Sequence, residues 1–377
     1  MSHLHIVAFN VPWPANYGGV IDVFYRIKAL SLQGVKIHLH TYTYGREPAQ
    51  ILENLCEEVC YYHRNMSPIL HFSRRPFIVE SRSSKELFER LCDDDYPILL
   101  EGVHNCYLLE RFKDVDRQIF VRAHNVESDY YSQLAKSERR LLKKCYLYIE
   151  ASKLRRYEPS IVRCADAVLA VTAADANVFK SGFGCEKVLL LPTFHPYDDF
   201  TSNLGLGTYA LYHADLSVPE NISAAKWLIS NVFSNTRRKF VLAGRNPVQS
   251  LVSLVEKYDN VTLVSSPDDV TMDQLIHNAQ VCVMITQQPT GLKLKLLNSL
   301  YGGRHCLVNS NMVAGTSLGD VCHVADTPTE FLDQLEVLMD RPFTLSDIEN
   351  RRHSIDECYS NRINAQRLLE FLSMINQ

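Results

Sequence analysis

Residues 281–309, VCVMITQQPTGLKLKLLNSLYGGRHCLVN, establish the local fold of the second half of the chain. An apolar strand ends near Ile285, a loop with Pro289 and Gly291 follows, and a helix then leads into another apolar strand. Continuous apolar runs are typical of parallel strands that helices cover on both faces. The stretch therefore predicts a β-α-β unit of a doubly wound sheet.

The same alternation of short apolar runs and amphipathic stretches continues through the chain and predicts parallel α/β architecture. In the first half we predict strands at His3–Phe9, Lys36–His40, Pro97–Leu100, Gln118–Ala123, Ala167–Val171 and Lys187–Leu191. In the second half we predict strands at Tyr209–His213, Lys239–Ala243, Val261–Val264, Val281–Ile285, His305–Val308 and Val321–Val324.

Residues 192–209, PTFHPYDDFTSNLGLGTY, separate the two sets of strands and have the composition of a linker. We therefore predict an α/β fold of two Rossmann-like, doubly wound parallel-sheet domains that face a central cleft. The predicted domains are residues 1–200 and 201–355, and residues 356–377 form a helix that packs back on the first domain. Ligands of such sheets bind at the carboxyl ends of the strands.

The composition is that of a soluble globular protein, with 46% hydrophobic and 22% charged residues. The net charge of −4 gives no argument for a nucleic-acid partner. The eleven cysteines include no CxxC pair, and the only close pair, Cys56 and Cys60, has helical spacing. Reduced thiols are typical of the cytosol. The first residues lack a charged leader region, and no window approaches the ~20 apolar residues of a membrane span, so we expect a cytoplasmic protein.

Two lysines, Lys293 and Lys295, lie in the first turn of the helix predicted after Gly291. A cation is unfavourable there, because the amino end of a helix already carries partial positive charge. The pair therefore indicates a bound anion such as a phosphate. Alternation with leucines favours the alternative that one lysine faces solvent, and of the two we favour Lys295 as the anion ligand.

Three further strand ends carry candidate residues. Gly18 and Gly19 enter a helix after the first strand, where backbone N–H groups can approach an anion, or where the glycines only make a tight turn. Gly244 and Arg245 follow the strand in KFVLAGRNP; the guanidinium suits a diphosphate, and the alternative is a surface arginine. His124 follows the strand in QIFVRAHN, where it can bond a substrate hydroxyl, carry a proton, or merely cap the next helix.

Several segments resemble the family-4 retaining glycosyltransferases (glycosyl transferases group 1), which have the GT-B fold. HNVESDYY, which begins at His124, looks like the HNVE-type segment of that family. Residues 155–175, RRYEPSIVRCADAVLAVTAAD, are similar to the family's glutamate-containing helix and the strand after it. Gly291, Lys295 and Leu297 match the donor-binding motif GxxxKxLEAMAxGxPVV. The stretch LYHADLSVPEN resembles the opening of the donor domain, with Ser217 and Glu220 as a candidate capping box.

The resemblance implies transfer of a sugar from a UDP- or GDP-linked donor to an acceptor hydroxyl with retention, in polysaccharide or glycoconjugate biosynthesis. It places the acceptor on the first domain and the donor on the second. The loop and helix start around Thr290 and Gly291 would hold the donor diphosphate, and His124 would contact the transferred sugar. Cationic side chains can stabilise the diphosphate, so we expect neither a metal ion nor another cofactor. The acceptor would be a glycan or a lipid-linked molecule.

The chain departs from the family at both carboxylates of the Glu-x7-Glu pair, which map onto Thr290 and Asn298. Asn298 can still bond a ribose hydroxyl, but Thr290 supplies no carboxylate. Ala214 and Asn221 lie where the family often has an arginine and a lysine. Two alternatives therefore stay open: a nucleotide-sugar-binding protein without catalysis, and a GT-B sugar-nucleotide epimerase, which would need acid and base carboxylates.

Residues 137–158, SERRLLKKCYLYIEASKLRRYE, form a basic stretch. One face of this predicted helix could meet anionic lipid, which suits a lipid-linked acceptor and a peripheral position on the inner face of a membrane. Interspersed glutamates favour the alternative of a solvated helix.

Overall fold

The computed structural model describes residues 3–138, 140–287 and 294–375. The chain forms two compact units, unit 1 with residues 1–196 and 361–377, and unit 2 with residues 197–360. The predicted boundaries lie after residues 200 and 355. Thr290, Gly291 and Lys293 lie outside the described residues.

Unit 1 is built on a seven-stranded parallel sheet in the order β3-β2-β1-β4-β5-β6-β7. Its strands are β1 (His3–Ala8), β2 (Lys36–Thr43), β3 (Glu58–His63), β4 (Ile98–Glu101), β5 (Ile119–Ala123), β6 (Ala167–Ala170) and β7 (Val188–Leu190). The central strands β4, β5 and β6 are buried along their whole length. Their largely apolar sequences reflect this, because helices cover both faces of the sheet, and the charged exceptions are Glu101 of β4 and Arg122 of β5.

The α-helices of unit 1 lie on the two faces of its sheet, over two separate apolar clusters. They are α1 (Gly18–Leu32), α2 (Gln50–Leu55), α3 (Phe77–Glu80), α4 (Lys85–Leu91), α5 (Tyr107–Arg111), α6 (Glu127–Ser137), α7 (Leu141–Val162), α8 (Ala173–Asn177) and α16 (Asn361–Ile375). Two 3₁₀ turns, Pro68–Phe72 and Val103–Asn105, and one π-helical turn, Val178–Gly182, complete the described helical segments of this unit.

Unit 2 is built on a six-stranded parallel sheet in the order β10-β9-β8-β11-β12-β13. Its strands are β8 (Tyr209–His213), β9 (Phe240–Gly244), β10 (Val261–Ser265), β11 (Ala279–Met284), β12 (His305–Val308) and β13 (His323–Val324). Its α-helices are α9 (Pro219–Asn231), α10 (Gln249–Val255), α11 (Asp269–Asn278), α12 (Leu294–Gly302), α13 (Ser310–Val313), α14 (Pro328–Asp340) and α15 (Leu345–Tyr359). The predicted fold class, two doubly wound parallel sheets, is confirmed.

The C-terminal helix differs from the prediction at its start. The chain breaks at Ser360, so residues 356–359 end α15 of unit 2 and only α16 belongs to unit 1. In α16, Ala365, Leu368 and Leu372 are fully buried in the same apolar cluster as residues of α1. This apolar face explains why the end of the chain returns to the first unit.

Each sheet changes direction at one place in its strand order. In unit 1 the connections run one way from β1 through β2 to β3 and the other way from β4 onward, so the switch lies between β1 and β4. In unit 2 the equivalent switch lies between β8 and β11. Loops diverge at such a point and leave a crevice at the carboxyl ends of the strands. The candidate residues must therefore be judged against these two positions.

Two further findings concern membrane-spanning helices and the cysteines. Across residues 3–138, 140–287 and 294–375, no helix combines the length and the apolar character that crossing a membrane requires. All eleven cysteines lie within these ranges and are free thiols. Cys56 follows the end of α2 and Cys60 is in β3, so the two cysteines do not share a helix despite their i,i+4 spacing.

Candidate functional site

A cluster of buried charged residues lies at the switch point of unit 1. Asp22 comes from the second turn of α1, Glu101 is the last residue of β4, and His124 follows β5. His124 Nε2 and Glu101 Oε2 are 3.0 Å apart, within hydrogen-bond distance. Nδ1 of the same ring lies 3.6 Å from Asp22 Oδ2. The predicted histidine is thus held between two carboxylates.

Two buried arginines complete this network. Arg26 donates to Asp22 Oδ2 at 2.6 Å and also to Glu101. Arg122 donates from Nε and Nη2 to the two oxygens of Asp22, each at 3.0 Å. Burial alone would raise the pKa of Asp22, but the charges of Arg122 and Arg26 outweigh it and hold that pKa well below its usual range. Two carboxylates and two guanidiniums therefore compensate one another in the interior.

The network restricts what His124 can do. Glu101 occupies Nε2, while Nδ1 lies beyond hydrogen-bond distance of Asp22, so Nδ1 is the ring nitrogen left to bond a substrate. The His124 side chain is 13% exposed, and the ring of Phe9 meets it edge-on with centroids 5.6 Å apart. This arrangement suits an imidazole that presents one nitrogen in a fixed orientation.

Metal binding is a separate question for this cluster. The cluster offers three potential metal-ligand atoms, one each from Asp22, Glu101 and His124. These atoms lie within 4.8 Å of one another, which is close enough to share an ion. However, Arg26 and Arg122 already neutralise both carboxylates at direct contact. A divalent cation would have to displace or face two fixed positive charges, so this donor set is unfavourable for a metal.

Gly18 and Gly19 form the start of α1, at the same switch point. Gly18 is exposed, and a Cβ added to it would meet no atom within 4 Å. A Cβ on Gly19 would lie 2.8 Å from the ring of Phe9, so this glycine allows α1 to approach the residue that flanks His124. The structure therefore gives Gly19 a packing role and leaves the backbone of Gly18 open to a ligand.

Lys295 and its neighbours form the corresponding cluster in unit 2. Lys295 Nζ lies 3.3 Å from Asn221 Oδ1, near the start of α9, and 5.3 Å from the centre of the Tyr212 ring. His213, the last residue of β8, pairs with Ser299 at 2.9 Å. Burial, helped by the charge of Lys295, lowers the pKa of His213 to about 4. His213 is therefore neutral at pH 7, and Lys295 supplies the positive charge at this switch point.

Glu220 has a different role from the predicted one. The prediction of a capping box with Ser217 is wrong, because α9 begins at Pro219 without a side-chain cap. The Glu220 carboxylate instead accepts hydrogen bonds from the hydroxyl of Thr286 and, at 3.3 Å, from the backbone N–H of Gln287. It anchors the chain directly after β11, at the entrance to the segment predicted to bind the donor.

Gly244 and Arg245 lie at the end of β9, one strand away from the switch. A Cβ on Gly244 would lie 1.8 Å from the carbonyl oxygen of Ala214, so this buried glycine permits the close approach of the two chain segments. Arg245 is 57% exposed and lies 3.6 Å from the exposed carboxylate of Asp269. The structure gives a packing reason for Gly244 and leaves Arg245 available at the surface.

The other predicted donor ligands divide into two groups. Asn298 lies on α12, one turn after Lys295, and is half-buried. Thr290, Gly291 and Lys293 are outside the described residues. The sequence analysis missed the charged partners of His124, although charged residues within apolar elements were a usable signal: Asp22 in VIDVF, Arg122 in IFVRA and Glu101 in ILLE.

Comparisons with known proteins agree with this architecture. No protein family's sequence profile matches the chain. An "Uncharacterized 44.6 kDa protein in cps region" of Klebsiella pneumoniae is 26% identical over 98% of this chain and 94% of its own length. The structure of sucrose-phosphate synthase from Thermosynechococcus elongatus has a TM-score of 0.69 at 13% identity and covers 100% of this chain and 99% of its own.

A second solved structure, Anabaena HepE in complex with UDP and glucose, has a TM-score of 0.61 at 11% identity. It covers 99% of both chains. The resemblance extends over both units and includes the two parallel sheets described above. The chain therefore has the GT-B fold of the glycosyltransferases.

Proposed function

We propose that the chain is a glycosyltransferase that moves a sugar from a nucleoside-diphosphate donor to an acceptor hydroxyl, with retention and without a metal ion. The observation that carries the proposal is the position of the two clusters. Lys295 lies at the switch point of its own sheet, and His124 bonds Glu101 at the switch point of the other. Doubly wound proteins bind ligands at such points. The UDP and glucose in the HepE structure support UDP as the first nucleotide to test.

The proposed roles follow from the chemistry of each cluster. Lys295 offsets the charge that develops on the departing diphosphate, and Arg245 can reach an anion from the adjacent strand end. His124 bonds a hydroxyl of the transferred sugar through Nδ1, in an orientation that Glu101 fixes. Because fixed cations can stabilise a diphosphate, the reaction needs no metal, and a chelator should leave turnover unchanged. We place the reaction in polysaccharide or glycoconjugate synthesis, in line with the relative's name as a protein in a cps region.

An epimerase acting on a nucleotide sugar is the second candidate. It needs acid and base carboxylates, and Asp22 and Glu101 do lie beside His124. Both are paired with arginines, and the pKa of Asp22 is held so low that it cannot serve as an acid near pH 7. Conversion of the donor without acceptor would favour the epimerase. Release of nucleoside diphosphate only in the presence of acceptor would favour the transferase. If neither activity is detected, the chain is a nucleotide-sugar-binding protein without catalysis.

Lys295→Ala should weaken the binding of UDP by about tenfold or more, since a charge-assisted bond to phosphate is lost, and should leave uridine binding unchanged. Thermal shifts with UDP, GDP, ADP and CDP first identify the nucleotide, because a ligand that binds only the folded state raises its stability. Calorimetric titration of that diphosphate and of its bare nucleoside then measures the effect.

Lys257→Ala, which removes an exposed lysine just after α10 in the same unit, is the matched control and should bind the diphosphate as the wild type does. Equal affinity of Lys295→Ala and the wild type for the diphosphate would remove Lys295 from the donor site. An equal loss of nucleoside binding would instead indicate damage to the unit as a whole.

We further propose that unit 1 docks on an anionic membrane through a defined face. The docking face consists of exposed apolar residues, Ile69 and Phe72 on a 3₁₀ turn and Leu141 and Leu142 at the start of α7, with the basic residues Arg140 and Lys143 beside them. Phe72 is 90% exposed and Leu142 is 89% exposed. Apolar side chains flanked by cations match the interface of a bilayer that contains anionic lipid.

Contacts within unit 1 bring the two segments of the docking face together. The carbonyl of His71 accepts a hydrogen bond from Lys153 of α7 at 2.8 Å. The His71 ring meets Tyr146 edge-on at 5.2 Å. Leu142 is one helical turn before Tyr146, so it lies on the same face of α7 as these contacts. Phe72, next to His71, therefore projects from the same region as the start of α7.

The double variant Phe72→Ser/Leu142→Ser should lower the affinity for vesicles of phosphatidylcholine and phosphatidylglycerol by about tenfold or more, because burial of two large apolar side chains is lost. Co-sedimentation measures this, with pure phosphatidylcholine vesicles as the test of charge dependence. Leu345→Ser, at a similarly exposed leucine of unit 2, is the control. Equal sedimentation of the double variant and the wild type would contradict the docking face.

A further inference from the structure

Two arginines of unit 1, Arg64 and Arg82, lie outside the network around His124, near enough for the charge of Arg64 to act on the pKa of Arg82. Arg64 follows β3 and donates from Nε to the hydroxyl of Ser81 at 3.0 Å. Arg82 follows Ser81 in the chain, and its guanidinium donates to the carbonyls of Phe9 at 2.9 Å and Ile78 at 2.7 Å. Both guanidiniums are thus positioned by neutral groups, at the carboxyl end of the sheet.

Neither guanidinium has an acidic partner in the described part of the chain. Among the described residues, no carboxylate oxygen lies within the 4.0 Å of an ion pair from Arg64 or Arg82, whereas Arg26 and Arg122 are both paired. Arg82 is only 5% exposed. Burial, followed by the charge of Arg64, lowers the pKa of Arg82 to about 9. The interior therefore holds a cation that the protein itself does not neutralise.

The aromatic rings near Arg64 do not neutralise the positive charge of the two guanidiniums. Its guanidinium lies 4.6 Å from the centre of Tyr44 and 5.5 Å from that of Phe77. Attraction to an aromatic face is weak compared with the cost of burying an unpaired charge beside a second one. The rings orient Arg64, but an anion is still needed to offset the charges of Arg64 and Arg82.

Glu127 is an acidic residue on whose pKa the charge of Arg82 acts, and it does not supply that anion. Burial and the neighbouring carboxylate of Glu158 raise the pKa of Glu127 to about 8. Glu127 is therefore mostly protonated at pH 7. Burial likewise raises the pKa of Glu158, to about 7, and Glu158 is occupied by the backbone N–H groups at the start of α6.

The arginine pair is connected to the site around His124 through Phe9. The Phe9 carbonyl accepts the bond from Arg82, while the Phe9 ring lies edge-on to His124 at 5.6 Å. Charge effects give the same picture, because the pKa of the half-buried His104 is lowered first by desolvation and then by the charges of Arg82, His124 and Arg64. A group bound by the arginines would therefore lie beside the residue to which we assign contact with the transferred sugar.

We propose that Arg64 and Arg82 bind a phosphate group of the acceptor, an inference that rests on the proposed transferase function. Two guanidiniums match the charge of about −2 on a phosphate monoester better than the single charge of a carboxylate. Each guanidinium retains N–H groups that the structure assigns to no described partner, and these can donate to phosphate oxygens. The phosphate can belong to a soluble sugar phosphate or to a lipid-linked acceptor.

Titration of inorganic phosphate into the full-length protein is the first test. Arg64→Gln should weaken phosphate binding by about tenfold or more, because one of the two charge-assisted partners is lost. Ser81→Ala, which removes only the anchor of Arg64, should have a smaller effect in the same direction. Arg75→Gln, at an arginine of the same unit that is paired with Glu80 and Glu110, is the control and should bind as the wild type does.

The source of the phosphate is tested separately, with glucose 6-phosphate in solution and with polyprenyl phosphate in detergent micelles. The acceptor class is identified by the ligand that binds the wild type more tightly and that binds Arg64→Gln more weakly than the wild type. Unchanged phosphate binding in Arg64→Gln, with the fold intact by circular dichroism, would overturn the inference. Nucleotide binding that depends on Lys295 is measured on the same samples, so a failure of the transferase proposal is distinguished from a failure of the arginine site.

Discussion

His124→Ala should lower turnover by about 10- to 10²-fold, the effect of losing a strong hydrogen bond of about 1.5–3 kcal/mol in the transition state. The ring bonds Glu101 through Nε2 and keeps Nδ1 for the substrate, so alanine removes a contact that no neighbour can replace. Affinity for the nucleotide should stay within about twofold, because the donor nucleotide is assigned to unit 2 around Lys295. Steady-state kinetics with the nucleotide sugar and acceptor, together with calorimetric titration of the nucleoside diphosphate, measure both quantities.

The matched control for this variant is His353→Ala, at an exposed histidine of α15. Its turnover should equal that of the wild type. A second variant, Glu101→Gln, tests whether His124 acts alone or needs its orientation fixed. If Glu101→Gln slows turnover while His124→Ala does not, the carboxylate and not the imidazole acts on substrate. Full turnover of His124→Ala would remove the histidine from the site.

The architecture was predictable because the hydrophobic pattern records burial directly. Runs such as AVLA of β6 are apolar throughout since helices cover both faces of the sheet. β3 was missed for the complementary reason. It is an edge strand, and in EVCYYH only Cys60 and Tyr62 are buried, so polar residues stand at both ends of a short run of partly exposed side chains. Edge strands give a weaker signal than central strands.

The site was predictable only in part. His124 was proposed because it follows a recognisable strand, and Lys295 because it lies in the first turn of a predicted helix; their positions relative to the switch points depend on strand order. Strand order is a tertiary property that a single sequence does not reveal. The partners of His124 are contributed by α1, β4 and β5, and Asp22 and Arg122 are 100 positions apart in the sequence. Only the folded chain shows that their charges compensate one another.

Gly19 and Gly244 show a second limit of prediction from sequence. The sequence motif predicted ligand contacts for both Gly19 and Gly244. The structure provides a steric reason for each, because a Cβ would collide with the ring of Phe9 or with the carbonyl of Ala214. A glycine at a strand end can thus serve packing, ligand approach or both. The sequence alone does not separate these roles, since all of them require the missing side chain.

Asp22→Ala should lower the free energy of unfolding of unit 1 by about 3–5 kcal/mol, the cost of removing one partner from a buried ion pair. Asp22 bonds both Arg26 and Arg122 and also accepts the backbone N–H of Phe194 at 2.8 Å. Alanine leaves two fully buried guanidiniums, of which only Arg26 keeps a carboxylate partner among the described residues, Glu101. Urea unfolding followed by circular dichroism measures the change. Glu57→Ala, which breaks an exposed pair with Lys36, should cost less than about 1 kcal/mol.

The double variant Asp22→Ala/Arg122→Met separates the cost of an unpaired charge from the loss of favourable contacts. If the main penalty is the buried charge of Arg122, replacing it with an apolar side chain of similar length should restore about half of the stability lost in Asp22→Ala. If the bonds themselves dominate, the double variant should be less stable than either single variant. An Asp22→Ala protein as stable as Glu57→Ala would contradict the network. The carboxylate would then contribute no more than a surface charge, and the fixed orientation that we assign to His124 would lose its physical basis.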